Sequence, residues 1–175
     1  HAFVGQHGDP AVYYTRWDGM AWSRLTVVLK VPDLAASAPA VVSGPDNQLI
    51  LLARSNSGSL YVSRTNSADA LTASSWSTLA RVPVAQDGRI SQGDVNWDSA
   101  GVIYIAYSVA VNEGRGVYLT TSHDGGRTWS EALQVFDAVA AGFEVVGSPT
   151  LLVAGNGQVH VMWERESAPV DGVAQ

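Results

Sequence analysis

Three tryptophan-serine pairs divide the chain at a nearly constant interval: Trp22-Ser23, Trp76-Ser77 and Trp129-Ser130, spaced 54 and 53 residues apart. A period of that size means repeated modules, and any fold assigned to the chain has to accommodate it. Upstream of each tryptophan lies a strand-like segment with tyrosine in second place. The copies are Val12-Tyr13-Tyr14-Thr15, Leu60-Tyr61-Val62-Ser63 and Val117-Tyr118-Leu119-Thr120. A second series interleaves with the first, as hairpins with polar or glycine-rich turns. It runs 40–42 into 49–53, 94–97 into 102–107, and 150–153 into 159–163. Each hairpin leads into the next tyrosine-bearing segment, so one repeat comprises four antiparallel strands, A to D, with short connections.

Glycine, proline, serine and threonine punctuate short runs of valine, leucine, tyrosine and tryptophan, and helical periodicity is absent, so the chain is expected to be all-β. Four strands per repeat of about 50 residues is the blade of a β-propeller. A β-sandwich with the same strand count leaves the spacing unexplained. The expected layout is a single propeller segment over 1–175: a half blade at 11–29, blades at 38–84 and 91–136, and a half blade at 148–165. That is about three blades' worth of strands, cut in mid-blade at both ends. Propellers close with four to eight blades, so the ring, six-bladed when complete, needs further blades from a longer chain or from a second copy. In the second case the terminal A–B hairpin of one copy pairs with the first C–D hairpin of the next.

Composition narrows the chemistry. The chain has no cysteine, which excludes a disulfide framework, a thiolate metal site and a cysteine nucleophile. Sixteen acidic residues against ten basic ones, with no basic run, argue against a nucleic-acid partner. The longest apolar runs fall far short of the roughly 20 residues of a membrane-spanning helix. His1 stands in place of methionine with no charged segment and long apolar run behind it, so no signal peptide is expected. The four histidines, His1, His7, His123 and His160, lack metal-binding spacing, and phosphate-cradling and serine-hydrolase motifs do not occur. No metal and no cofactor is implied.

One segment carries a specific motif. Ser122-His123-Asp124-Gly125-Gly126-Arg127-Thr128-Trp129 fits S-x-D-x-G-x-T-W at every specified position. This is the Asp-box, and with the repeat framing from about residue 11 to 165 the chain resembles the sialidase-like (BNR repeat) β-propellers of the neuraminidase superfamily. Trp17-Asp18-Gly19-Met20-Ala21-Trp22 is a degenerate copy, and the stretch 65–76 keeps only its tryptophan. The side chains of Ser122 and Asp124 suit acceptance of hydrogen bonds from the turn's own N–H groups, the glycines suit positive φ, and Trp129 supplies a large ring to bury. In the family, the box sits in the C–D turn away from the active site. Turn chemistry and the resemblance together imply a structural role for Ser122, Asp124, Gly126, Thr128 and Trp129.

In an antiparallel blade the A–B and C–D turns share one side, which leaves the B–C loops and the connectors between blades on the other. Arg54 and Arg115 lie at such loops, while Asp87, Arg89, Asp94, Asp137 and Glu144 lie at connector ends, and Glu164, Arg165 and Glu166 follow the last B strand. Arg54, Arg89, Asp94, Arg115, Glu144 and Arg165 form the candidate binding face, set against the plain reading of solvated loop charges. Sialidases use an arginine triad, a tyrosine nucleophile paired with a glutamate, and an aspartate acid/base. The Arg-Ile-Pro tripeptide that ordinarily marks the first arginine is absent. Tyr107, Glu144, Arg54, Arg89 and Arg165 supply the residue types, but spacing selects none of them and no catalytic residue is assigned. One full Asp-box, two decayed copies and the missing arginine marker point to a non-catalytic scaffold or recognition module for a glycan or protein, and the resemblance implies an extracellular or cell-surface location. The alternatives are part of an exo-sialidase or related glycoside hydrolase, or a structural subunit assembling through open blade edges.

Overall fold

The computed structural model describes residues 1–6, 9–34, 39–86 and 89–167. His7, Asp87 and position 38, where the second segment was expected to open, lie outside the described residues. Strands dominate, and helix among the described residues amounts to two 3-10 turns at 45–47 and 73–75. No helix among them is long and apolar enough to cross a membrane.

The first sheet holds β1 (Ala2–Gln6), β2 (Asp9–Thr15) and β3 (Thr26–Lys30) in the order β1-β2-β3. The second is a four-stranded meander of β4 (Ala40–Ser43), β5 (Gln48–Arg54), β6 (Leu60–Asn66) and β7 (Ala80–Arg81). The third repeats the meander with β8 (Gln92–Trp97), β9 (Ile103–Val109), β10 (Gly116–Ser122) and β11 (Leu133–Asp137). After it come β12 (Val145–Val146), the hairpin β13 (Thr150–Val153) and β14 (Val159–Met162), and β15 (Arg165–Glu166), which pairs with β12. All pairings are antiparallel.

The tryptophan-serine period corresponds to a repeated set of hydrogen bonds. In each of the first three sheets, a hydroxyl two residues after the key tyrosine donates to the serine carbonyl. The bonds are Thr15 to Ser23 at 2.7 Å, Ser63 to Ser77 at 2.7 Å and Thr120 to Ser130 at 2.9 Å. The serine Oγ accepts the next N–H along the strand, from Arg16, Arg64 or Thr121, at 3.0, 3.1 and 3.0 Å. The serine N–H returns a bond of 2.8 Å to the carbonyl of that same residue. Each serine therefore satisfies the strand ends at the entry to the last strand of its sheet.

Burial explains the two kinds of strand pattern. In β5, Leu49, Leu51 and Ala53 point into a cluster shared with Val12, Tyr14 and Val28 of the first sheet, while Ile50 and Leu52 point into a cluster shared with Ile103, Ile105 and Tyr107 of the third. A strand covered on both faces reads as a continuous apolar run, as Leu49 to Ala53 does. β9 is likewise buried along its length, whereas most of β11, at the outer edge of the third sheet, is exposed.

Two features depart from the sequence expectation. β1 lies ahead of the expected first hairpin and pairs with β2 along Ala2 to Gln6. It occupies the edge of β2 that a terminal hairpin from a second copy was expected to use, so that mode of strand exchange is corrected. The final hairpin is flanked by the β12–β15 pair.

The three tryptophans are not equivalent. Trp76 is 6% exposed, meets Phe3 of the first sheet edge-on at 5.7 Å and donates from Nε1 to the Ala70 carbonyl at 3.0 Å. Trp129 is part-buried against the second sheet, and Trp22 is 56% exposed. We expect Trp76→Ala to cost roughly 3–5 kcal/mol and Trp22→Ala to stay within about 0.5 kcal/mol, both read from urea unfolding midpoints. Equal costs would show that burial by the adjacent sheet does not set the value of the position.

Candidate functional site

The turn joining β10 to β11 is closed by its own side chains. Gly125 and Gly126 take φ of 74° and 86°, a region that suits glycine. Asp124 Oδ1 accepts the N–H groups of Arg127 and Thr128, each at 2.9 Å, and Oδ2 accepts the Thr128 hydroxyl at 2.6 Å. The Ser122 hydroxyl donates to Asp124 Oδ1 at 2.9 Å and accepts the Gly126 N–H at 2.8 Å. These bonds, led by the Thr128 hydroxyl, hold the Asp124 carboxyl far below its ordinary range. Gly126 lies against Trp129, Val62 and Ile103, where a Cβ would make ordinary contacts of 3.5 to 3.9 Å, so its positive φ is what calls for glycine. Every polar atom of the Asp124 carboxylate is thus used inside the turn.

The shorter turn at 17–22 keeps part of the device. Asp18 Oδ1 accepts the N–H groups of Met20 and Ala21 at 2.8 and 2.9 Å, and these bonds lower its pKa. Trp17 and Trp22 bridge the turn with ring centroids 5.7 Å apart.

At the opposite end, the loops after β5 and β9 are bonded to the connectors between sheets. Asn56 N–H donates to the Asp33 carbonyl at 2.7 Å, Ile90 N–H to Gly58 at 3.2 Å and Val146 N–H to Ala110 at 3.0 Å. Three of the six candidate face residues meet here around Phe143. Arg115 Nε donates to the Phe143 carbonyl at 2.6 Å, and its Nη1 donates to the Asn112 carbonyl at 3.0 Å. The Arg165 guanidinium lies 4.3 Å from the Phe143 ring centroid. Glu144, the next residue, is anchored by its N–H to the Glu166 carbonyl at 2.9 Å, with its side chain exposed. Arg165, Trp163, Val161 and Met162 line an adjacent open groove of about 450 Å³.

The other three are placed apart from that cluster. Arg54 donates to the carbonyls of Ser55 and Ile90 at 3.2 and 3.4 Å, and burial lowers its pKa. Arg89, beside Ile90, is exposed. Asp94 lies within β8 and not at a loop: its Oδ2 accepts the Leu151 N–H at 2.8 Å and ties the third sheet to the final hairpin. Tyr107, one of the residues of sialidase type, is fully buried, stacks on Tyr118 at 5.3 Å and accepts the Ala85 N–H at its hydroxyl. Burial drives its pKa upward. Among the described residues no group of three histidine or acidic side chains is placed to hold a metal ion. Phe143 was not singled out in the sequence. Its only signal there is an aromatic residue directly before Glu144 in an otherwise small-residue connector.

No family model matches the chain, and no curated protein does. Among solved structures, a protein of unknown function from Dyadobacter fermentans DSM 18053 is similar at 15% identity with a TM-score of 0.58, over 98% of this chain and 52% of that one. The sialidase NanB, solved with Optactamide, is similar at 16% identity with a TM-score of 0.52, over 87% of this chain and 23% of that one. The chain therefore spans about half the length of the first and a quarter of the second. At these identities the likeness concerns the fold: an all-β arrangement of antiparallel sheets distantly similar to that of a sialidase.

Because the folded state depresses the Asp124 pKa, ionised Asp124 stabilises the fold above its ordinary value of 3.8, and that stability is lost as pH falls below it. Thermal unfolding of Asp124→Ala against the unmodified protein is expected to show a lower Tm at pH 7 and a narrowing gap below pH 3.8. A gap independent of pH would refute the carboxylate lock.

Proposed function

We propose that the chain is a run of blades of a sialidase-like Asp-box β-propeller, divided at 11–29, 38–84, 91–136 and 148–165. Outside the cell or at its surface, it serves as a recognition module for a glycan or protein without turning it over. The fold likeness to NanB supports the architecture, and the fit of Ser122–Trp129 to the Asp-box sequence pattern, with side chains bonded inside their own turn, supports the family reading.

The observation that carries the recognition reading is the meeting of Arg115, Glu144 and Arg165 around Phe143. A guanidinium stacked on a ring keeps its N–H groups in its own plane, available to a carboxylate or a sugar hydroxyl. Trp163 and Met162 add apolar surface beside it for a sugar face. The buried Tyr107 hydroxyl, occupied by the Ala85 N–H, favours binding over nucleophilic chemistry. Arg54 and Arg115 are likewise engaged with carbonyls.

A second reading, part of an exo-sialidase or related glycoside hydrolase, is favoured by the likeness to NanB. Calorimetric titration with a sialylated oligosaccharide and its neutral counterpart separates the two, run beside a fluorogenic sialoside assay. Recognition predicts preference for the acidic sugar, a roughly tenfold loss on Arg165→Ala and no release of fluorophore. Release abolished by mutation of an arginine on this face would establish the second reading. Absence of binding to either sugar would remove the glycan reading.

A further inference from the structure

A pocket of about 240 Å³ lies between the second sheet and the turn that ends the third strand of the next. One wall includes Val62, Arg64 and Thr78 of the second sheet, and the other is the Ser122–Trp129 turn through Gly125, Gly126 and Arg127. Two guanidiniums reach this pocket, and both bear on the peptide that joins Asp124 to Gly125. Arg64, in β6, is half-buried and sets its Nη1 against Gly125, so that a side chain on residue 125 would displace it. Arg127 is exposed and directs its Nη1 at the Asp124 carbonyl from 3.4 Å, longer than an ordinary N–H···O bond. No acidic residue among those described lines the pocket. The Asp124 oxygens are taken up by Ser122, Thr128 and the Arg127 N–H, and Glu131 lines the neighbouring groove instead.

The repeat supplies a comparison. The residue whose N–H donates to the serine Oγ is Arg16 in the first sheet, Arg64 in the second and Thr121 in the third. Arg16 has an acid beside it: after the N–H groups of Ala21 and Met20, its charge helps to lower the Asp18 pKa. Arg64 instead meets a second cation across the cleft. Two guanidiniums in one half-enclosed pocket repel each other, and an anion placed between them turns that repulsion into attraction. Gly125 keeps the arrangement open. The S-x-D-x-G-x-T-W pattern leaves its position unspecified, and its φ of 74° and the space taken by Arg64 both call for glycine.

We propose that this pocket is an anion site in which Arg64 and Arg127, with the Thr78 hydroxyl, hold a tetrahedral oxyanion, sulfate or phosphate, as the free ion or as an ester on a larger ligand. Guanidinium forks offer paired N–H donors to such groups. Donors that arrive from both walls suit oxygens pointing in several directions better than they suit the single edge of a carboxylate. The walls belong to the two four-stranded meanders of this chain, so the site is formed between two of its own sheets. It lies at the opposite end of those sheets from Phe143 and does not depend on the glycan reading.

Calorimetric titration with sodium sulfate and sodium phosphate at constant ionic strength should show saturable binding, with sodium acetate much weaker. Arg64→Gln and Arg127→Gln should each weaken that binding roughly tenfold. Arg16→Gln, at the same repeat position but away from the pocket, should leave it unchanged. Arg127 is exposed, so its variant tests the site without disturbing the packing between the sheets, and far-ultraviolet circular dichroism checks that each variant is folded. Methyl sulfate and methyl phosphate separate the two sources of the anion. Binding as tight as that of the inorganic ions identifies an ester carried by a larger ligand, and binding of the inorganic ions alone identifies the free ion. The proposal is overturned by the absence of saturable binding, by acetate bound as tightly as sulfate and phosphate, or by affinity indifferent to both Arg64→Gln and Arg127→Gln. An equal loss on Arg16→Gln would overturn it too, by showing that overall charge and not this pocket attracts the anion.

Discussion

Ser23, Ser77 and Ser130 each hold two strands together through a hydroxyl, a carbonyl and an N–H, and the rest of the fold is arranged around those three points. The bonds fix where the last strand of each sheet begins, and so where the preceding tryptophan is carried. Hydrogen bonds of this kind each contribute modestly to net stability. Their larger effect is on position: a clamp at the base of the turn delivers an indole to the neighbouring sheet, where its area can be buried. Turn length inside the clamp is then free to vary, from the short 17–22 turn to the long stretch 65–76 with its own 3-10 segment.

Such a scheme builds stability from neighbours. The second and third sheets each supply residues to two of the three apolar clusters, whereas the first supplies residues to one. Residues of one repeat position consequently differ in exposure according to what lies beside them, as Trp22 against Trp76 shows.

The period, the paired strands of the two meanders and the Ser122–Trp129 turn were legible in the sequence because each rests on local patterning: alternation, turn residues and a short motif. β1 was not legible. Ala2-Phe3-Val4-Gly5-Gln6 precedes the first tryptophan-serine frame, includes a glycine that weakens strand propensity, and gains its role only from Tyr13 and Tyr14 across the ladder. Asp94 was read as the end of a connector, at the first residue of its strand, whereas β8 begins two residues earlier at Gln92. Its place inside β8 is explained by the Leu151 N–H, 57 positions away in sequence, which no local pattern announces. The cluster at Phe143 has the same origin. Arg115 and Arg165 are drawn to it by a carbonyl and a ring that become neighbours only once the third sheet and the β12–β15 pair are both formed.

The two ends of the sheets therefore carry different physical demands. At the turn end, Asp124 and Asp18 use their carboxylates on N–H groups within the same few residues, and an acid so engaged has little capacity left for a ligand. At the loop end the charged residues are tethered without being saturated. Arg115 is held by Nε and one Nη, Arg165 by the face of Phe143, and Glu144 by its backbone, which leaves its carboxylate in solvent. A residue fixed in place but not saturated has already lost much of its conformational freedom and still has donors or acceptors to offer, which lowers the entropic cost of binding. That difference in saturation, more than the number of charges at either end, is why the loop end is the better place to look for a sugar ligand.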